Sequence, residues 1–212
     1  LNKKFLNKFE RPLNTNLIDK EFLKPMSNLK ESKKVPFWDI IDPKISWDFL
    51  IGIFFSVFRT SKWKNSLHVI DKKKLEDLRP WSNFDNTCLH PKILCNAFKD
   101  EQAFFCSKPL SINLTGVREW KSLYEFIEIV RIPELLDYYR SQGLGFFKYI
   151  YCKNFSLINF TNYFMKILIG GKKAGTNYVN IYDHVIKNLF YPNVYISIIS
   201  FFIRKINFKK KQ

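Results

Sequence analysis

Apolar residues recur at three- and four-residue steps over two long parts of the chain, and both read as helices. In the first, Trp120, Leu123, Ile127 and Val130 form one stripe, with Glu125, Glu128 and Arg131 on the other face. Pro133 suits the first turn of a second helix, Glu134 adds charge near its N-terminus, and Gly143 can stop it. In the second, Leu157, Phe160/Thr161, Phe164 and Leu168 form a stripe that ends at Gly170 or Gly171. Glycine past a helix end adopts a left-handed cap at little steric cost. Gly175 and Thr176 then predict a loop and an N-cap. Val179, Tyr182, Val185/Ile186 and Leu189 give the next apolar stripe, and Pro192 opens a third element, Asn193 to Ile203. That element is rich in β-branched and aromatic residues, so helix is favoured with strand left open.

The remaining segments carry weaker patterns. Residues 1 to 36 are lysine-rich and broken by Pro12, Pro25 and Pro36, which predicts an extended basic arm. Trp38, Ile41, Ile45 and the Phe49–Phe58 run predict buried structure, helical after Pro43. A basic stretch with a Lys72-Lys73-Lys74 run follows. Residues 78 to 117 show no sustained period; short strands are expected around Leu94 and Ala103–Cys106. The expected fold class is mainly α, with an arm over 1–36 and a mixed helical and irregular extension over 37–143. A helical region over 144–212 completes it.

Composition narrows the function less than charge does. Lys (28), Phe (22) and Tyr (10) are abundant while alanine is nearly absent, with Ala97, Ala103 and Ala174 alone. Lys, Phe, Tyr, Ile and Asn share A/T-rich codons, so part of this bias is mutational. A net charge of +16 on 212 residues is large, and it favours a polyanionic partner, nucleic acid or an anionic membrane. The excess is local. Residues 141 to 212 hold eleven Lys/Arg against one acid, Asp183, whereas 118 to 140 hold four against five. The near-neutral part is expected to pack on protein, the basic part on the partner.

Candidate chemistry is sparse. Cys88, His90, Cys95 and Cys106 can be drawn as a zinc set, but their spacings lack the paired C-x2-C or C-x4-C step of zinc modules. Buried free thiols are expected instead, with no disulfide framework. His68, His90 and His184 lie apart from any recognisable nucleophile setting, and Asp39, Asp42 and Asp48 read as caps and turns. The chain is read as a non-enzyme without cofactor. The apolar run Leu189 to Ile203 carries no charge but is interrupted by Pro192 and Asn193 and falls short of the roughly 20 apolar residues a bilayer core needs. Membrane insertion is therefore not the first expectation. The opening residues contain Glu10, Asp19 and Glu21 and make a poor transit peptide.

The turn Gly170-Gly171-Lys172-Lys173 is the most specific feature. A P-loop is excluded, because position 166 is lysine rather than glycine and Lys173 stands where Ser or Thr is required. Solvated lysines at a helix break are one reading. The other is a rigid basic corner that meets RNA phosphate, helped by amides at the next helix start. The stretch "YFMKILIGGKKAGTNYVNIYDHVIKNLFYPNVYISIISFFI" resembles the small-subunit ribosomal protein seven family. There a helix runs into a (D/G)-G-K-K corner, an apolar-Tyr helix follows, and a proline begins a third helix. Tyr163, Lys166, Leu168, Gly171, Lys172, Lys173, Val179, Tyr182 and Pro192 carry the match, over about a fifth of the chain.

The resemblance implies a helical, ribosomal-RNA-binding constituent of the small subunit, beside neighbouring ribosomal proteins. The expected RNA-binding residues are Lys166, Gly171, Lys172, Lys173, Arg204, Lys205, Lys209, Lys210 and Lys211, with Lys72, Lys73 and Lys74 as a second group. The family continues into an arginine-rich hairpin that this sequence lacks. That implies a portion of the family chain with a long extension, or one piece of a split gene whose second polypeptide completes the fold. The A/T-driven composition suits synthesis inside a mitochondrion. The alternative expectation is an accessory subunit of an inner-membrane respiratory complex, with lysines facing anionic lipid.

Overall fold

A computed structural model describes residues 31–43, 57–79, 81–107 and 122–209, with side chains as far as 206. The fold is mainly α, as the periodicity predicts. Most of the predicted arm and of the Phe49–Phe58 run lies outside the described residues. The end of the arm is not loose. Lys33–Pro36 forms strand β1, paired antiparallel with β2, Gln102–Phe105. Alternation turns Val35 and Phe105 to the buried side of this ribbon. The strand expected around Ala103–Cys106 is thus present, but the one expected around Leu94 is not. Leu89–Phe98 is helical, with Ile93, Leu94 and Cys95 buried on one face.

Short helices fill the first half: α1 (Phe37–Ile40), α2 (Thr60–Asn65), α3 (Lys72–Leu75), α4 (Phe84–Thr87) and α5 (Leu89–Phe98). Asn83 explains why α4 starts where it does. Its side chain accepts from the Asn86 amide, and the Asn86 side chain answers its own amide, a capping box. The acid-and-base face expected over 124–131 is a misreading. After α6 (Tyr124–Phe126) the helix widens into one π-turn, Ile127–Arg131, in which all five residues are buried. The turn is enclosed on all sides, so Ile127 and Val130 are buried as expected and Glu128 and Arg131 are buried as well. Pro133 then sits in the first turn of α7, Ile132–Ser141, as expected. Gly143, at φ +120, ends that stretch beneath the Trp38 ring.

Helix α7 is the axis of the core. Leu135, Leu136 and Tyr139 are fully enclosed, and one cluster of buried side chains joins Phe37, Leu94, Phe126, Leu157, Ile167 and Val194 to them. Helix α8 (Phe146–Ser156) packs on α7, and α9 (Phe160–Gly170) packs on α6 and the π-turn. The inward stripe of α9 is Phe160 and Ile167, one residue off the predicted Leu168, which is exposed. The single helix predicted after Thr176 is instead broken. It comprises two 3-10 turns, Thr176–Tyr178 and Ile186–Phe190, on either side of α10, Ile181–His184. Pro192 does open a helix, α11, which runs to Lys209.

Helix termini in this half are satisfied by other helices. The Asn193 amide in the first turn of α11 donates to Asn154 Oδ1 on α8 at 2.9 Å, and the Asn193 side chain returns a bond to the Asn154 carbonyl. The Thr161 amide in the first turn of α9 donates to Ser197 Oγ on α11 at 2.9 Å. Helix starts leave amides unpaired, so each of these bonds removes a buried orphan donor. Ser197→Ala should cost about 1–2 kcal/mol, because it strands the Thr161 amide. Urea unfolding would check this against Ser200→Ala, which should stay within about 0.5 kcal/mol of the parent.

Candidate nucleic-acid interface

The glycine-lysine corner is built by close approach. Helix α9 ends at Gly170, whose missing Cβ would lie 2.6 Å from the Ala174 methyl. Gly171 takes φ +59, and Gly171–Ala174 closes as one 3-10 turn. Gly175 follows at φ +87, where a Cβ would meet the Phe126 ring at 2.9 and 3.0 Å. Thr176 is not the N-cap its sequence position suggests. Its hydroxyl reaches back to the carbonyls of Ile167 (2.7 Å) and Gly171 (2.8 Å), tying the corner to the helix it leaves. Ala174 and Gly175 are buried, while Lys172 and Lys173 just before them are exposed, as is Gly170. Among the described residues, no carboxylate forms an ion pair with either lysine.

Phe126 links the corner to a buried ionic cluster. The Arg131 guanidinium lies 4.9 Å from the Phe126 centroid, donates to Glu134 Oε2 at 2.6 Å, and donates to the Trp81 carbonyl at 2.8 Å. Glu134 Oε1 meets His184 Nε2 at 2.9 Å, and the Asn180 amide donates to His184 Nδ1. An accepting Nδ1 leaves the proton of a neutral imidazole on Nε2, so the contact with Glu134 needs no charge on His184. Burial alone would raise the Glu134 pKa. The hydrogen bond from His184 and the Arg131 charge outweigh it and hold the carboxyl below its ordinary value. The cluster fastens α10 to α7, and with it the segment that leaves the corner.

Other predicted site residues divide sharply. Lys166 is engaged, with Glu125 Oε1 at 2.9 Å and its ammonium over the Tyr163 ring. Lys74 faces the buried Asp85 at 3.2 Å, which Lys92 also reaches at 2.5 Å. Lys72 and Lys73 are exposed on α3. Arg204 and Lys205 are exposed on α11, and Lys205 lies 5.0 Å from the Phe201 centroid. Lys209 closes α11, its side chain outside the described residues, as are Lys210 and Lys211 altogether. The helix-start amides expected after the corner amount to short turns, so a helix macrodipole adds little there. The positive field comes from side chains.

The cysteine and histidine set does not assemble. His90 packs beside the Trp63 ring, and among the described residues no three His, Cys, Asp or Glu side chains converge to hold a metal. Burial pushes the Cys95 and Cys152 thiols up to about 12 and raises Cys88 as well, so all three stay protonated at neutral pH. Asp39 reaches Lys148 at 3.5 Å, and Asp48 lies outside the described residues.

One surface feature has no counterpart among the predicted sites. Helix α11 exposes Tyr195, Ile196, Ile199, Phe202, Ile203 and Ile206. The signal was available as a second apolar stripe, offset by one residue from Val194, Ile198 and Phe201.

Fold and surface together define a class: a strongly basic, mainly helical protein with an exposed two-lysine corner and an uncovered apolar helix face. No family model matches the chain, and no curated protein or solved structure matches it.

Proposed function

We propose that this protein is a structural constituent of the mitochondrial small ribosomal subunit that binds ribosomal RNA phosphate through Lys172 and Lys173. The observation that carries the reading is the corner. Two adjacent cations, without ion-pair partners among the described residues, are held out beside the buried Ala174 and Gly175, with Gly170 and Gly175 required by close approach. A pair so placed meets backbone phosphate without reading sequence. The resemblance of residues 163–203 to ribosomal protein seven points to the same partner. Lys72, Lys73, Arg204 and Lys205 extend the cationic surface, whereas Lys166 and Lys74 are spent on intramolecular acids.

The test is binding of the full chain to small-subunit ribosomal RNA across a salt series. Lys172→Glu with Lys173→Glu should weaken binding roughly 10- to 30-fold near 0.1 M salt and reduce the log–log salt slope by about two. An unchanged affinity and slope would remove the corner from the interface. An accessory role in an inner-membrane assembly is the second reading, favoured by the exposed apolar face of α11.

A further inference from the structure

Helix α11 carries two apolar faces and commits one of them. Val194 and Ser197 are buried, and Ile198 packs on the same core. At about 3.6 residues per turn, Tyr195, Ile199, Phe202 and Ile206 form a separate stripe. Each of the four is more than half exposed, at 52, 59, 58 and 56 %. Ile196 and Ile203 widen the stripe, and Arg204 and Lys205 are exposed beside its C-terminal end. Asp183 is the sole acid from residue 141 onward, and it is paired with Lys187 at 2.5 Å.

We propose that this face of α11 lies along the surface of an anionic lipid bilayer. A contiguous apolar face in water marks a protein or membrane contact. Isoleucine side chains offer nothing to nucleic acid phosphate, so RNA does not account for the stripe. Exposed cations at the end of the stripe, in a part of the chain with one acid, favour an anionic occupant, and aliphatic and aromatic side chains beside such charges fit the headgroup and acyl boundary. The geometry is one of lying on, not spanning. Among the described residues no single helix is long and apolar enough to cross a membrane, and the one pair that qualifies together, Ile181–Phe190 with Pro192–Ile206, is bent by 96°. Moreover, Val194 and Ser197 hold the opposite side of α11 against α8 and α9. The inference shares Arg204 and Lys205 with the proposed RNA surface, but its apolar stripe is separate from the Lys172-Lys173 corner and does not depend on it.

The experiment is co-sedimentation of the full chain with two kinds of vesicle, phosphatidylglycerol mixed with phosphatidylcholine, and phosphatidylcholine alone. The parent should pellet with the anionic vesicles and at least tenfold less with the neutral ones. I199D/F202D should lower partition onto anionic vesicles at least tenfold. K172E/K173E, which removes more positive charge, should lower it by less. Circular dichroism and thermal unfolding would confirm that each variant is folded, and I199N/F202N applies the same test if aspartate disturbs the helix. The proposal fails if the parent ignores anionic vesicles, or if I199D/F202D partitions like the parent. It also fails if sedimentation velocity shows a dimer that I199D/F202D dissolves without any vesicle effect, since the face then belongs to a second copy. Loss of RNA binding in K172E/K173E alone bears on the ribosomal reading and leaves this one standing.

Discussion

Gly175→Val is expected to destabilise the protein by about 3–5 kcal/mol, for two reasons that add. At φ +87 a β-branched residue is strained in any surroundings, and here its Cβ would enter the Phe126 ring at 2.9 Å. Phe126 is fully buried and stacked under Arg131, so it has little room to retreat. Chemical denaturation would measure the loss. Gly145→Ala is the comparison, because nothing lies within 4 Å of a Cβ there and its φ is negative. Its cost should stay below about 1 kcal/mol, the usual scale for exchanging a helix N-cap. If the two variants unfolded at the same urea concentration, the close approach of the corner to Phe126 would be wrong. If the proposed RNA contact holds, Gly175→Val should also weaken it, although it removes no charge, because Lys172 and Lys173 would lose their fixed platform.

Glu134→Ala is expected to cost about 3–5 kcal/mol, the range for breaking a buried ion pair from one side. The variant leaves the Arg131 side chain, 5 % exposed, without its carboxylate and deprives His184 Nε2 of an acceptor. Glu134→Gln keeps an acceptor for His184 and should cost less. The pH dependence follows from the sign of the shift. The folded carboxyl lies below its unfolded value, so its contribution is complete above the unfolded pKa near 4.3 and disappears as pH falls through the lower folded value. The stability gap between parent and Glu134→Ala should therefore be flat from neutral pH to about pH 5 and narrow below about pH 4. A gap that persisted undiminished into strong acid would show that the loss came from side-chain volume and not from charge.

Periodicity made the helices of this chain legible where the core took a plain 3.6-residue stripe. Helix α7 and the proline that opens it, the stop at Gly170 and the start of α11 at Pro192 all follow from local rules. Burial of Glu128 and Arg131 in the π-turn Ile127–Arg131 was hidden because periodicity assigns charged residues to a solvent face, whereas this turn is enclosed on all sides and Arg131 is paired through tertiary structure with Trp81 and with Glu134. Leu94 looked strand-like in a proline-broken segment, yet Pro91 sits within the first turn of α5, a position a helix tolerates. The broken segment after Thr176 was read as one helix because its apolar spacing is helical; Asn180 caps a fresh start at Ile181 and interrupts it. At the candidate interface the corner itself was visible in four residues. What consumes Lys166 and Lys74 was not, since Glu125 and Asp85 are their partners through tertiary structure and not through sequence proximity. The second face of α11 was present as a pattern, but apolar residues cover so wide an arc of the helix that the sequence alone did not separate the buried side from the exposed one.

The exchanged helix caps have a bearing on how the chain is made. Thr161 waits for a hydroxyl 36 positions ahead of it, and Asn193 for an amide group 39 positions behind. A growing polypeptide emerging from its N-terminal end can form the body of α9 early, but its first turn stays unsealed until Ser197 has appeared. A later helix thus closes its predecessors, and a nascent chain stalled before α11 would present the aromatic faces of α8 and α9 to whatever lies nearby.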